Sequence, residues 1–134
     1  MNMLKILNFS LAASLFAAAA QAASPPSLYT ATQATAGAAV FAQSCAMCHG
    51  ASLAGGAGPA LVGPGFATSG TTVGSVFTMV AQQMPLSSPG SLSHAQYKDV
   101  MAYILQKNGY SAGGTPLSYA QALTSTTPLV SQTK

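Results

Sequence analysis

The stretch Cys45-Ala46-Met47-Cys48-His49 contains both cysteines of this 134-residue chain and one of its two histidines. The two thiols lie three positions apart, and the histidine follows the second one directly. This C-x-x-C-H spacing is typical of covalent attachment of a c-type haem, because each thiolate adds to one of two neighbouring vinyl groups on the porphyrin edge. The motif therefore predicts one covalently bound haem, with Cys45 and Cys48 as attachment sites and His49 as an axial ligand of the iron.

Three other interpretations of the cysteine pair remain open. A redox dithiol of the thioredoxin type would follow a strand and precede a helix, whereas the residues before Cys45 look helical and those after His49 are rich in Gly and Pro. A zinc site could use only Cys45, Cys48, His49 and His94, and the adjacent positions of Cys48 and His49 would strain it. A structural disulfide across two intervening residues would constrain almost no chain.

Residues 1–22 have the pattern of a secretory signal peptide. Residues 1–5 carry one positive charge, residues 6–20 are mostly apolar, and Ala20-Gln21-Ala22 fits the small-x-small cleavage rule. The alternative is an uncleaved anchor, but the apolar run is shorter than the ~20 residues of a spanning helix. Cleavage would leave residues 23–134 as a single domain with no stable membrane span. An exported protein whose thiols all lie in a haem motif fits the bacterial periplasm.

Charged side chains are nearly absent from the sequence. The chain has four lysines, one aspartate, and neither arginine nor glutamate. The predicted mature part keeps three lysines and Asp99, which gives a side-chain charge of +2. Phosphate recognition needs basic clusters, so this composition argues against a nucleic-acid partner. It also predicts weak long-range electrostatic steering of any protein partner.

A helix is predicted immediately before the cysteine motif, from about Thr32 to Ser44. Thr30 and Gln33 have the spacing of a capping box at its start. Gly37 and Phe41 lie four residues apart on one face of this helix. A glycine inside a helix costs roughly 1 kcal/mol relative to alanine. Close approach of a second helix is one use for Gly37, and simple tolerance is the alternative.

A loop rich in Gly and Pro is predicted over residues 50–70, and loops of this length in small domains commonly wrap around something. The helix after it is predicted to begin near residues 71–72. It should end at Met84, because Pro85 disfavours helical backbone angles in the residue before it. The apolar residues of this helix form one stripe, which consists of Val73, Val76, Phe77, Val80 and Met84.

The last long helix has the clearest signals at both ends. Ser93 and Gln96 form a second predicted capping box, Leu92 can pack on Tyr97, and Asn108-Gly109 ends the helix. The remaining residues, 111–134, form a predicted tail with a short helical turn at 119–123. Its apolar anchors are Leu117, Leu123, Leu129 and Val130. The tail could pack on its own domain or on a partner.

Five side chains of the predicted mature chain could ligate the iron opposite His49: Met47, Met79, Met84, Met101 and His94. Met47 lies inside the attachment motif and cannot reach across the haem. Met84 closes a helix, precedes a proline, and follows His49 by 35 residues, enough to wrap from one haem face to the other. Ligation of haem iron by histidine and methionine is well established. We therefore predict Met84 as the second axial ligand, with His94 or an open iron as the alternatives.

Taken together, these motifs resemble those of the class I cytochromes c. The matching stretches, in order, are Gly37, Phe41, Cys45-x-x-Cys48-His49, Gly58-Pro59-Ala60-Leu61, Met84-Pro85 and Val100-x-x-Tyr103-Ile104. The resemblance covers roughly residues 32–109. It implies an all-α fold with a core at about residues 30–110, in which the first and last helices cross and the loops wrap around one covalent haem. It also implies that the Pro59 carbonyl accepts a hydrogen bond from His49, which orients this ligand.

The stretch from Met84 to Tyr103 looks most similar to small cytochromes and haem subunits that serve bacterial periplasmic dehydrogenases. The resemblance implies an electron carrier of the respiratory chain and not an enzyme. Its partners would be a periplasmic dehydrogenase or respiratory complex as donor, and an acceptor such as a terminal oxidase. The alternative function is a peroxidase-like enzyme or gas-binding protein with a labile sixth ligand. That function needs a distal acid or base, for which only His94 and Asp99 are candidates.

Overall fold

The structure is a computed structural model that describes residues 24–133. The predicted signal peptide lies outside the described residues. Five helices lie within them: α1 (Ala31–Ser44), α2 (Ala46–His49), α3 (Val73–Gln83), α4 (His94–Lys107) and α5 (Tyr119–Thr124). The described residues contain no strand, only one isolated bridge between Thr72 and Pro128. The predicted all-α class is thus confirmed. No helix between residues 24 and 133 has both the length and the hydropathy needed to cross a bilayer.

The helix boundaries follow from local capping signals. In α1 the Thr30 side chain accepts from the backbone of Gln33, and the Gln33 side chain accepts from the backbone of Thr30. Ser93 and Gln96 make the same reciprocal pair at the start of α4, so both predicted capping boxes are confirmed. A third capping box, at the start of α3, was not predicted; Thr72 forms it with the side chain of a serine three residues later.

Helices α1 and α4 cross at Gly37, as the resemblance to the class I cytochromes c implied. A β-carbon at Gly37 would overlap the backbone carbonyl of Asp99 and lie 3.0 Å from Cβ of Tyr103. One turn further along α1, the rings of Phe41 and Tyr103 pack with their centroids 5.4 Å apart. The glycine therefore permits the close approach of the two helix backbones, and this is the reason for a poor helix former inside α1.

Helix α4 divides the interior into two apolar clusters. The larger cluster contains Met101 and Leu105, and the smaller one contains Phe41, Leu53, Val100 and Ile104. The other members of the larger cluster are Tyr29, Ala34, Val73, Phe77, Ala81, Tyr97, Ala102, Tyr110, Leu117, Ala122 and Leu129. Because each large apolar side chain contributes about 1.5–3 kcal/mol when fully buried, these clusters are the main stabilising feature of the fold. The smaller cluster lies against the cysteine motif.

The tail packs back onto the helices of its own chain. The amide group of Gln33 is paired with the backbone of Leu117, donating to its carbonyl (2.9 Å) and accepting from its N–H (2.8 Å). Leu129 is fully buried, and its N–H donates to the carbonyl of Thr71 at 2.9 Å. Helix α5 coincides with the predicted helical turn. The prediction of Val130 as an anchor was wrong: it is 53% exposed, because its neighbour Leu129 faces the interior.

Candidate haem attachment site

The cysteine motif forms a short helix of its own, α2, which follows α1 almost without interruption. Cys45 is the joint: its N–H donates to Phe41 O in α1 (2.9 Å), and its carbonyl accepts from His49 N (3.0 Å). Residues three and four apart are neighbours on a helical turn, so Cys45, Cys48 and His49 are brought to one side of it. From the sequence, the first helix was predicted to end at Ser44, and α2 was not predicted.

The two thiols are free, with Cys45 half-buried and Cys48 exposed. Burial raises the pKa of the Cys45 thiol, and the nearby Cys48 raises it further. A redox dithiol of the thioredoxin type would follow a strand, whereas helix α1 leads directly into Cys45, so the structure does not fit that interpretation. Within residues 24–133 no group of three or more His, Cys, Asp and Glu side chains could hold a metal ion, which leaves the zinc interpretation without support.

His49 is held in one orientation by the loop that follows it. Its ring Nδ1 lies 2.8 Å from the carbonyl oxygen of Pro59. A carbonyl can only accept, so Nδ1 carries the proton and Nε2 keeps the lone pair that a metal needs. A β-carbon at Gly58 would lie 3.0 Å from Cε1 of His49, so a glycine here lets the loop lie flat against the ring. The Gly58 N–H also donates to Cys48 O at 2.8 Å, which ties this loop to α2.

Met84 lies directly after the last residue of α3. Its backbone is extended, with φ −115° and ψ 153°, as expected for a residue before proline. The Tyr97 hydroxyl donates to its carbonyl oxygen at 2.7 Å.

Burial distinguishes Met84 from the other three methionines of the described residues. Met47 is 90% exposed, Met79 is 53% exposed, and Met101 is completely buried in the larger cluster. Met84 alone is half-buried.

A wall of half-buried apolar side chains lies around the smaller cluster, which borders the motif at Cys45 and Ala46. Its members pack against the smaller cluster and are Val40, Cys45, Ala46, Leu61, Val62, Phe66, Val80 and Tyr103. Binding sites for cofactors are typically lined in this way, with a few polar groups that fix orientation. A covalently bound haem fits this site. The site has two thiols at the attachment spacing, an imidazole whose Nε2 can bind a metal, and this apolar wall.

Two residues of this region carry roles that the sequence analysis missed. Asn108, predicted only as a helix stop, is completely buried, and its Nδ2 donates to the carbonyls of Leu61 and Ile104, both at 2.9 Å. It thereby ties the end of α4 to the loop beside His49. Tyr97, predicted only as an apolar partner of Leu92, binds the backbone of Met84. Neither role had a sequence signal, because the acceptors are backbone carbonyls, which every residue possesses.

The comparisons with known proteins agree with this geometry. Residues 32–104 match the model of the family described as cytochrome c oxidase, cbb3-type, subunit III. No curated protein matches the chain significantly. Among solved structures, the chain is similar to the sulfane dehydrogenase SoxCD from Paracoccus pantotrophus, with 26% sequence identity and a TM-score of 0.55. The similarity covers 74% of this chain but only 53% of the SoxCD chain, so this chain spans about half the length of that relative.

The family match includes the whole of the C-x-x-C-H motif and extends to Ile104 in α4. It supports a covalently attached haem c and electron transfer through it. Since the matched residues make up more than half of the chain, the protein belongs to the family described as cytochrome c oxidase, cbb3-type, subunit III, and is a class I c-type cytochrome.

Proposed function

We propose that this cytochrome is a periplasmic one-electron carrier whose single haem c is ligated by His49 and Met84. The observation that carries the proposal is the geometry of α2, where a histidine with a free Nε2 directly follows two free thiols. When bound, the haem iron supplies one-electron redox chemistry, and a methionine ligand raises its potential. Ligation from both sides leaves no coordination position for a substrate, which favours a carrier over an enzyme.

The residues of α2 also determine where a partner can reach the cofactor. Cys48 is exposed, and Met47 between the two attachment sites is 90% exposed. A haem edge bonded to these two cysteines would therefore be accessible from the protein surface. Pro59 and Gly58 contact the His49 ring and hold it in one orientation. This restraint favours little movement of the ring when the iron is oxidised or reduced.

Removal of the Met84 side chain tests the ligand set. We expect the oxidised Met84→Ala protein to lose the weak sulfur-to-iron band at the red end of the visible spectrum completely. We also expect its reduced form to bind CO readily, because one coordination position is then open. The matched control is Met79→Ala, which removes a half-exposed methionine from α3, the helix that ends just before Met84, and should leave the spectrum unchanged. A wild-type spectrum without the band, or one that Met84→Ala does not change, would contradict the proposal.

The rival function, a haem enzyme or gas-binding protein, needs a distal acid or base. His94 is exposed at the first position of α4, and its ring stacks on Tyr119 of the tail with centroids 3.7 Å apart. Asp99 lies where α4 crosses α1, and burial raises the pKa of its carboxyl group. These contacts favour structural roles for both residues. A high-spin wild-type protein that binds peroxide or CO readily would instead favour the enzyme.

The redox partners that we propose are a periplasmic dehydrogenase or respiratory complex and an acceptor such as a terminal oxidase. A dehydrogenase partner has support from the similarity to SoxCD, which is itself a dehydrogenase by its description. The charged side chains of the described residues are Lys98, Asp99 and Lys107. Large exposed apolar side chains include Met47 and Leu86. Recognition should therefore depend on a small uncharged surface.

The scarcity of charge predicts that electron transfer depends little on salt. We expect the oxidation rate of the reduced protein by ferricyanide, and by a cationic cobalt(III) complex, to change less than about twofold as the Debye length falls from ~30 Å to ~8 Å. Stopped-flow measurements at two ionic strengths check this. The matched variant Met47→Lys places one charge beside the attachment site and should give the two oxidants opposite salt dependences. A steep dependence in the wild type would rule out an uncharged contact surface.

A further inference from the structure

We infer that Tyr97 is a positioning residue that holds Met84 in place for the iron, an inference that rests on the proposed ligand role of Met84. Its hydroxyl donates to the Met84 carbonyl oxygen at 2.7 Å. The same hydroxyl lies 3.5 Å from the backbone N–H of Leu92, as a long acceptor contact. One side chain thus contacts both ends of the loop between α3 and α4.

This loop has little else to restrain it. All residues from Leu86 to Ser91 are exposed. The turn hydrogen bonds within it run from Ser88 N to Pro85 O (2.9 Å) and from Ser91 N to Ser88 O (3.2 Å). Exposed segments with few buried contacts open at low free-energy cost. The hydrogen bond from Tyr97 is therefore a main restraint on the start of the loop, and with it on Met84.

The Tyr97 ring is itself rigidly held. It is only 2% exposed and belongs to the larger cluster, together with Ala81 of α3 and Met101 of α4. It is the fourth residue of α4, whose start is fixed by the capping box of Ser93. The position of the hydroxyl is thus set by the core. Met84 still donates its N–H to Val80 O of α3 at 3.3 Å, but no further helical turn supplies a donor for its carbonyl oxygen. The Tyr97 hydroxyl supplies that donor and so fixes the second half of the Met84 backbone.

The test is the competition of imidazole for the iron in the oxidised holoprotein with Tyr97→Phe. Imidazole binds only the form from which Met84 has dissociated, so its apparent affinity follows the population of that form. Loss of one hydrogen bond should raise this population about fivefold, which corresponds to about 1 kcal/mol. We expect a roughly fivefold tighter apparent imidazole affinity, followed as loss of the sulfur-to-iron band.

Tyr110→Phe is the matched control. Tyr110 is 5% exposed, and its hydroxyl donates to Pro128 O and accepts from Val130 N, both at 3.0 Å, within the tail. Both variants lose a buried hydroxyl that contacts two backbone groups, and both should lower Tm. Only Tyr97→Phe should alter imidazole binding. Equal imidazole affinities in the two variants and the wild type would overturn the inference.

Met84→Ala separates failure of the inference from failure of the proposed function. It defines the imidazole affinity of a fully open iron. If the wild type already binds imidazole as tightly as Met84→Ala, Met84 is not a ligand, and both the ligand proposal and the inference fall. If Met84→Ala binds far more tightly than the wild type while Tyr97→Phe does not differ from Tyr110→Phe, only the inference fails.

Discussion

Replacement of both Cys45 and Cys48 with alanine is expected to abolish covalent haem attachment. The effect should be complete, because a thioether cannot form without a side-chain sulfur, and these are the only two cysteines of the chain. Haem staining after denaturing electrophoresis should show no haem on the double variant. Mass spectrometry of the wild type should show the mass of the chain plus one haem.

The single variants and a control refine this result. Each single replacement leaves one attachment site, so we expect a reduced yield of covalent haem and not its absence. Met47→Ala changes a 90% exposed residue between the two cysteines and should leave attachment unchanged. Covalent haem on the double variant, or two haems on the wild type, would contradict the assignment of the motif.

Replacement of Gly37 with alanine is expected to destabilise the protein strongly, although helix propensity predicts the opposite. Alanine in a helix interior is favoured over glycine by about 1 kcal/mol. Here the added methyl group would overlap the carbonyl of Asp99, which belongs to the backbone of α4 and cannot rotate away. The two helices would have to separate, at an expected cost of about 3 kcal/mol or more in the free energy of unfolding.

Denaturant unfolding of the holoprotein measures this loss, and Gly65→Ala is the matched control. A β-carbon at Gly65 would meet no atom within 4 Å, and no left-handed backbone angle is found there. Its replacement should change the free energy of unfolding by less than about 0.5 kcal/mol, as at ordinary surface positions. If Gly37→Ala proved as stable as the wild type, the close crossing of α1 and α4 would be wrong.

Features encoded over a few neighbouring residues could be predicted from the sequence. The attachment motif spans five residues, and the capping boxes at Thr30 and Ser93 each join residues three apart. The end of α3 at Met84 follows from a rule that links a proline to the residue before it. The start of α1 was predicted one residue late, at Thr32 instead of Ala31.

Features that depend on the packing of distant segments were not predictable. The tail lacks the periodic spacing of an amphipathic helix, so Leu129 and Val130 were both predicted as anchors, and nothing indicated that Val130 would be exposed. The hydrogen bond from the Asn108 amide to Leu61 O shows the same limit, since Leu61 lies 47 residues away. The hydroxyl of Tyr97 acts across 13 residues on a backbone group, and its aromatic ring alone suggested only packing.

The pairing of Gln33 with Leu117 imposes an order on folding. Gln33 is made 84 residues before Leu117, to which its side-chain amide makes two hydrogen bonds, whereas its third hydrogen bond, from Thr30 N, lies within the start of α1. Until the tail arrives, the two hydrogen bonds to Leu117 cannot form, and burying the Gln33 amide nitrogen without a partner would cost about 1–3 kcal/mol. Since domains are synthesised from the N-terminus, α1 keeps this face accessible to water for most of synthesis. The segment that ends in the attachment motif thus acquires its final packing only after nearly all of the chain has emerged.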